Sequence, residues 1–237
     1  MKIDSFSIID FHAHVLPGAD HGSSSLETTL FQLSSAKEHS VKHVIATPHF
    51  YPQSHTVDDF LSLRDAAYEK LLPSLDATLP KVTKGAEVLM CDGIERLRGL
   101  EKLCVDGTRI ILLELPFSVF KTEYCDSVYR LVKEGYEVVL AHVDRYPKEH
   151  IEMLLDVGAK CQINAVALSG LLVPNHLKEW IKYGRVIALG SDIHKADKNA
   201  YKRFDKAKSR ILKYGCSEIF EDFSEFLENE LTKKQGV

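Results

Sequence analysis

The 237 residues are 45% hydrophobic and 27% charged, proportions that support a sizeable core and exclude a disordered or fibrous chain. Lys plus Arg number 30 against 34 Asp plus Glu, and the resulting net charge of −4 disfavours nucleic acid as the main partner. The length admits one or two domains at roughly 150 residues each; with no linker, internal repeat or low-complexity stretch, one domain over residues 1–237 is expected.

Taken in chain order, the segment Met1–Phe6 carries Asp4 where a signal peptide needs an apolar core. No apolar run approaches the roughly 18 residues of a membrane span, so a cytoplasmic protein with no membrane insertion is expected. Short apolar runs bounded by turn signals follow at Phe6–Phe11, Val41–Thr47, Lys81–Val88, Arg109–Leu115, Glu137–Ala141, Lys160–Ala165 and Arg185–Leu189, and each reads as a strand. Helical spacing fills the segments between them, as in Ser25–His39, Val57–Leu72, Glu123–Glu134 and Pro147–Val157. The repeat of about 30 residues is the size of a βα unit, whose parallel strands need helical crossovers. The expectation is an α/β fold, a closed or nearly closed barrel of seven strands, with terminal covering helices from about residue 201.

The five cysteines, Cys91, Cys104, Cys125, Cys161 and Cys216, are odd in number and none forms a C-x-x-C pair, so they read as reduced thiols. A phosphatase loop of the Cys-x5-Arg type is absent, because the sixth residue after each is Leu97, Ile110, Leu131, Ala167 or Asp222.

The His, Asp and Glu residues fall at the ends of the strand runs: Asp10, His12 and His14 on the first, His49 after the second, Glu87 and Glu114 ending the third and fourth, His142 after the fifth, Asp192 and His194 after the last. In a parallel βα barrel those ends meet on one face, which carries the active site. His12-Ala13-His14 puts two imidazoles on one face of an extended segment, a spacing suited to a shared metal ion. Alone it means little, since eleven histidines in 237 residues yield about half an H-x-H by chance. The repetition of ligand types at run ends carries the specificity.

With the order D-x-H-x-H, T-P-H, G-x-E, E-L-P, A-H-x-x-R-Y and S-D-x-H, the chain resembles the polymerase and histidinol phosphatase (PHP) superfamily, and within it the bacterial protein-tyrosine phosphatases of capsular and exopolysaccharide operons. The resemblance spans residues from about 9 to 203. It implies a distorted seven-stranded (β/α) barrel, TIM-like, holding three divalent transition-metal ions. By motif position, one ion would take His12, His14, Glu87 and Asp192; a second would share Glu87 and take Glu114 and His142; the third would take Asp20, His49 and His194. The resemblance also implies that Arg145 binds phosphate, and that the substrate is a phosphotyrosine protein such as a bacterial tyrosine autokinase. Two departures stand out: Ala19-Asp20-His21-Gly22-Ser23 replaces the family's Asp-Gly-Pro, and Lys195-Ala196-Asp197-Lys198-Asn199 stands where relatives carry a second arginine, so that Lys195 or Lys198 would have to substitute.

The residue types agree with this chemistry. Imidazole and carboxylate without thiolate suit Mn, Fe or Zn, and three divalent ions against the carboxylates of Asp20, Glu87, Glu114 and Asp192 leave a positive site for a phosphate dianion. Water activated by metal, held in line with phosphorus, is the expected nucleophile. Asp10 is expected to orient a histidine, Asp144 and His21 are candidate general acids, and Phe50 and Tyr51 either line a slot for a phenol ring or pack on the rim. The competing functions are a histidinol-phosphate or other small-molecule phosphatase and a non-catalytic, metal-binding regulatory protein.

Overall fold

A computed structural model describes residues 9–117 and 119–233, so the first part of the expected Phe6–Phe11 run lies outside the described residues. The strands are β1 (Asp10–Ala13), β2 (His43–Ala46), β3 (His49–Phe50), β4 (Lys81–Lys84), β5 (Glu87–Leu89), β6 (Ile110–Glu114), β7 (Glu137–Leu140), β8 (Lys160–Asn164) and β9 (Val186–Gly190). All pairings among them are parallel, and they make one curled sheet, a half-barrel, in the order β3-β5-β6-β7-β8-β9-β1-β2-β4.

Among the described residues, nine strands stand where the sequence predicts seven, for a local reason. The Lys81–Val88 run is interrupted at Gly85-Ala86, and the chain after β2 re-enters the sheet beyond Thr47-Pro48. Pro48 has no N–H for a ladder, yet its carbonyl accepts from Glu87 N–H at 3.0 Å, and Gly85 N–H donates to Ala46 at 2.8 Å. The same two stretches therefore pair twice, β2 with β4 and β3 with β5.

The crossovers contain α1 (Leu26–Glu38), α2 (Val57–Leu71), α3 (Glu123–Lys133), α4 (Lys148–Asp156), α5 (Ala165–Ser169) and α6 (Asn175–Lys182), and the chain continues through α7 (Ala200–Lys213) and α8 (Ser217–Lys233). Ser25 and Thr56 start α1 and α2 by accepting the amides of Thr28 and Asp59, each at 3.2 Å, which satisfies N–H groups that the helix leaves unpaired. The helices α5 and α6 are not evident in the sequence, because 5 and 8 residues are too few to display a 3.6-residue period.

Alternation along the strands divides the core in two. On the convex face Val44, Ile111, Leu113, Val138, Leu140, Ile163 and Leu189 join the helices in the larger cluster. On the concave face Ile9, Phe11, Ile45, Ile110, Leu112, Val139 and Ile187 pack with Phe223, Leu227 and Leu231 of α8. Phe11 meets Phe223 edge to face at 5.2 Å. The last helix thus fills the interior, and each such side chain contributes about 1.5 to 3 kcal/mol relative to exposure.

A register shift in β1 decides where the site can form. Asp10 pairs with Val44 but Ala13 pairs with Ala46, so β1 spends one residue more than β2 over that interval. Such a bulge exchanges the faces. Phe11 belongs to the inner cluster, whereas Ala13 belongs to the outer one, which leaves His12 and His14 to turn inward above the apolar interior.

Candidate metal centre

Above that interior the strand ends bring together residues up to 182 positions apart in the chain, from His12 to His194. Glu87, fully buried at the start of β5, is at the middle. Its Oε2 lies 3.2 Å from His12 Nε2, 3.3 Å from His14 Nε2 and 3.0 Å from His49 Nδ1, while Oε1 lies 2.7 Å from His142 Nε2. Glu114, closing β6, stands 3.5 Å from His142 Nε2 and 3.8 Å from His49 Nδ1. Asp192 Oδ1 lies 3.7, 3.5 and 3.4 Å from His12, His14 and His194. Two backbone positions hold this arrangement at left-handed dihedrals, His142 at φ 32° and Asp192 at φ 52°, conformations unusual for residues with a side chain and kept only where the surroundings enforce them.

Hydrogen bonds on the far side of the rings aim the near nitrogens inward. His12 Nδ1 is 3.0 Å from Gln162 Oε1, His14 Nδ1 is 2.6 Å from Asp20 Oδ2, and His194 Nδ1 is 3.0 Å from the Asp192 carbonyl. With Nδ1–H donating in each, the Nε2 atoms of His12, His14 and His194 face the cluster. They face other nitrogens there: His12 and His14 Nε2 are 3.1 Å apart, and His194 and His49 Nε2 are 3.5 Å apart.

This donor set fits cations. Glu87 Oε2 and His49 Nδ1 are buried side by side without a hydrogen-bond partner among the described residues, and unsatisfied buried groups of this kind are costly unless something else satisfies them. Among the described residues, three groups have ligand atoms near enough to share an ion: His12, His14 and Glu87; His14, His49 and His194; His49, Glu87 and Glu114. Protonation follows the same charge logic. Burial opposes the charge on His14, but Asp192, Asp20 and Glu87 overcome it and raise its pKa well above the ordinary value. His142 is likewise raised, to about 9, by Glu114 and Glu87 against the effect of burial. Burial would raise Glu87 and Asp192, yet His12 and its neighbours hold both carboxyls far below the usual range. His194, partly buried beside His14, is lowered to about 4.

Every residue singled out in the sequence as a ligand reaches this centre, but Asp20 does so through others. Its Oδ2 faces His14 Nδ1 and accepts from His49 N–H at 3.1 Å, and its Oδ1 accepts from Gly22 N–H at 2.8 Å. Arg145, on a 3-10 turn at Val143–Arg145, turns into the cluster and pairs with Asp192 Oδ2 rather than with Asp144. Asp144 instead accepts the Asn164 amide at 3.0 Å. Two expectations change. Asp10 meets His12 through the backbone rather than the ring: it accepts from His12 N–H at 3.4 Å, from Ser191 N–H at 2.8 Å and from Tyr201 Oη at 2.9 Å, tying β1 to the β9 loop and α7. Phe50 lies in the outer core, 5.2 Å edge to face with Phe60 of α2, while Tyr51 stacks on His49 at 5.3 Å. His21 stacks on the other side of the cluster, 4.6 Å from His49.

The residues that sequence reasoning missed are Gln162 and Asn164 on β8. Gln162 Oε1 serves both His12 Nδ1 and the His142 N–H, the latter at 2.7 Å, and its Nε2 donates to Asn164 Oδ1 at 2.9 Å. Asn164 Nδ2 then donates to Asp192 Oδ2 at 2.9 Å. The one available signal was two carboxamides alternating with Cys161 and Ile163 in an otherwise apolar run, since a buried amide needs partners. Gly190 leaves room for this chain, because a Cβ there would stand 2.5 Å from Gln162 Nε2 and 2.7 Å from His12 Cβ. Gln162→Leu should weaken metal binding roughly 10-fold, the lower range for loss of a residue that orients a ligand. A metal-buffered titration of the folded variant checks this; unchanged affinity would show that His12 needs no such support.

A parallel sheet with imidazoles and carboxylates gathered at its strand ends defines a class of metal-binding α/β proteins, many of them hydrolases. The chain belongs to the capsular polysaccharide synthesis family CpsB/CapC, whose family model matches residues 8–225. Among relatives, it is 27% identical over 171 residues to the tyrosine-protein phosphatase YwqE of Bacillus subtilis (strain 168), an alignment covering 69% of this chain and 67% of YwqE. Its fold is similar to the crystal structures of YwqE from Bacillus subtilis and CpsB from Streptococcus pneumoniae, described as metal-dependent tyrosine phosphatases, with a TM-score of 0.74, 22% identity and 92% of both chains covered. The fold also resembles a β-aspartyl dipeptidase from Fervidobacterium islandicum AW-1 at a TM-score of 0.56 and 13% identity, over 91% of this chain and 70% of that one.

Proposed function

We propose that this protein is a metal-dependent phosphomonoesterase that removes phosphate from phosphotyrosine in proteins, with a bacterial tyrosine autokinase of capsule or exopolysaccharide synthesis as the physiological substrate. The observation that carries this is the convergence of His12, His14, His49, Glu87, Glu114, His142, Asp192 and His194 around a shared carboxylate, with the Arg145 guanidinium at the edge, in a chain whose relative YwqE is named a tyrosine-protein phosphatase.

Three ions are proposed: one would be held by His12, His14, Glu87 and Asp192, one by Glu87, Glu114 and His142, and one by His49 and His194, side chains that lie near one another in each set. In this assignment Asp20 acts through His14, whose ring it orients, rather than as a ligand. Mn, Fe or Zn bound here would neutralise phosphate charge and lower the pKa of water toward 7. Arg145 would bind phosphoryl oxygens with its planar fork, and Asp192 would keep the Arg145 head group over the site when no substrate is present. The twice-paired stretches suggest seven barrel positions, with β2 and β3 sharing one and β4 and β5 another. Among the described residues no helix is long and apolar enough to cross a membrane. A cytoplasmic location suits the five free thiols and a kinase substrate.

Thiol chemistry has no place in this reaction. Cys104, Cys161 and Cys216 are buried, and burial pushes the Cys104 thiol up to about 12, where thiolate is scarce. The test is a substrate panel with Mn, Fe or Zn restored to chelated protein. A phosphotyrosine peptide should turn over faster than histidinol phosphate, chelator should abolish turnover, and alkylation of accessible thiols should leave most of it. Preference for histidinol phosphate would identify the small-molecule phosphatase instead, and metal-loaded protein inert to every phosphomonoester would identify the regulatory metal-binding protein.

A further inference from the structure

Beside the cluster, on the side of His142, two aromatic rings continue outward. Tyr146 follows Arg145 directly, and its ring is tilted against that of His142 at a centroid distance of 5.7 Å. Its hydroxyl donates to the Leu115 carbonyl at 2.7 Å, which pins the ring in place. Phe117 stacks on the outer side of Tyr146 at 5.6 Å with an interplanar angle of 28°. Phe117 comes from the loop after β6, the strand that delivers Glu114, so it lies at the same end of the sheet as the metal ligands. Its side chain is nonetheless 71% exposed.

Phe117 leaves most of its apolar surface in water although a loop residue at this place could be polar at no cost to the core. The neighbouring Tyr146 is partly buried and held by a hydrogen bond, so the stacked pair is a fixed feature rather than a loose side chain. Arg145 precedes the pair and points at Asp192 in the cluster. A monoester whose phosphate is held by the ions and Arg145 must send its organic group out past the rim, and on the His142 side that rim is aromatic. Tyr51 stacks instead on His49, at a centroid distance of 5.3 Å.

We infer that Phe117 and Tyr146 form the platform that selects an aryl over an alkyl group on the phosphate, with Phe117 presenting the exposed ring surface. The inference rests on the phosphotyrosine activity proposed above and names its specificity device. Offset stacking of aromatic rings is favourable beyond the burial of their area, and a serine or threonine phosphate has no ring to gain it.

The test uses the full chain loaded with Mn, measuring by calorimetry the binding of phenylphosphonate and of methylphosphonate, neither of which is hydrolysed. Phe117→Ala should reduce the preference for phenylphosphonate over methylphosphonate by roughly 2- to 10-fold, the range expected for one lost aromatic pair, and Phe117→Trp should retain it. In parallel, the ratio of kcat/KM for phosphotyrosine to that for phosphoserine should fall in Phe117→Ala through KM rather than kcat. An unchanged phenyl preference in Phe117→Ala, or an equal loss for both phosphonates, would overturn the platform. Absence of turnover of any phosphomonoester by the wild-type protein would overturn the phosphatase activity instead, and the phosphonate comparison would still decide whether the rings select an aryl group.

Discussion

Replacing Glu87 with Gln should remove at least about 100-fold of the phosphatase activity and strip bound metal from the dialysed protein, a larger loss than the 10- to 100-fold typical of residues that merely orient ligands. Its two oxygens stand within 3.3 Å of four imidazoles, those of His12, His14, His49 and His142. Glutamine fills the same space, so the fold should survive, but a neutral amide offers one acceptor and a misplaced NH2 group to four imidazoles. Elemental analysis and turnover, measured on the same folded sample, check the result. Full metal content with full activity would place the reaction elsewhere.

The charges gathered in the cluster also set the direction of pH dependence. His14 and His142 have raised pKa values, His142 to about 9. Protons therefore occupy near neutral pH the nitrogens that ions would need, and metal binding must release them. Affinity measured in the same titrations should rise with pH until the pH passes the raised pKa of His142, and fall as pH is lowered. Loss of a carboxylate at Glu87 removes one source of that raised pKa, which makes the shallower pH dependence of Glu87→Gln a second signature of the same side chain.

Arg145→Ala should lower kcat/KM for a phosphotyrosine peptide by roughly 10- to 100-fold, equivalent to about 1.5 to 3 kcal/mol for a charge-assisted hydrogen bond. Two roles are open to this guanidinium, since it both faces the phosphate position and pairs with Asp192 Oδ2. They separate in the metal content. Asn164 also donates to that oxygen, at 2.9 Å, so without Arg145 Asp192 should keep its place and the ions should stay. A fall in metal content matching the fall in activity would mean that Arg145 braces the ligand. Arg145→Lys should recover little, because an ammonium keeps the charge without the planar fork; near-complete recovery would mean that only the charge matters.

How far the sequence reaches is clearest at His12 and Gln162. His12 is legible because H-x-H after an apolar run, with His49, Glu87, Glu114, His142, Asp192 and His194 at later run ends, is a pattern of residue types that have few other reasons to recur there. Gln162 fixes the ring of His12 and the backbone of His142, yet the sequence says only that a buried amide needs partners, because a carboxamide in a strand has no ligand signature and its partners lie 150 and 20 positions away. The strand runs and the longer helices were readable from alternation and from the 3.6-residue period. The breaks at Thr47-Pro48 and Gly85-Ala86 were not, since whether a chain re-enters a sheet after an interruption depends on the neighbour that accepts its hydrogen bonds.

Residue type and order along the chain, by themselves, determined that parallel strands alternate with helices and that hard and imidazole ligands gather at strand ends, because both follow from local periodicity and from the geometry common to parallel sheets. Only the tertiary structure decided which way those ligands turn. The bulge in β1 sends His12 and His14 inward where an unbroken strand would turn them to the helices, and left-handed dihedrals at His142 and Asp192 aim two more. It also set Asp20 against the His14 ring and the His49 N–H, and brought Phe117 from one loop onto Tyr146 of the next. Each of these depends on register and on close approach between distant strands, and a sequence records neither until the sheet has curled.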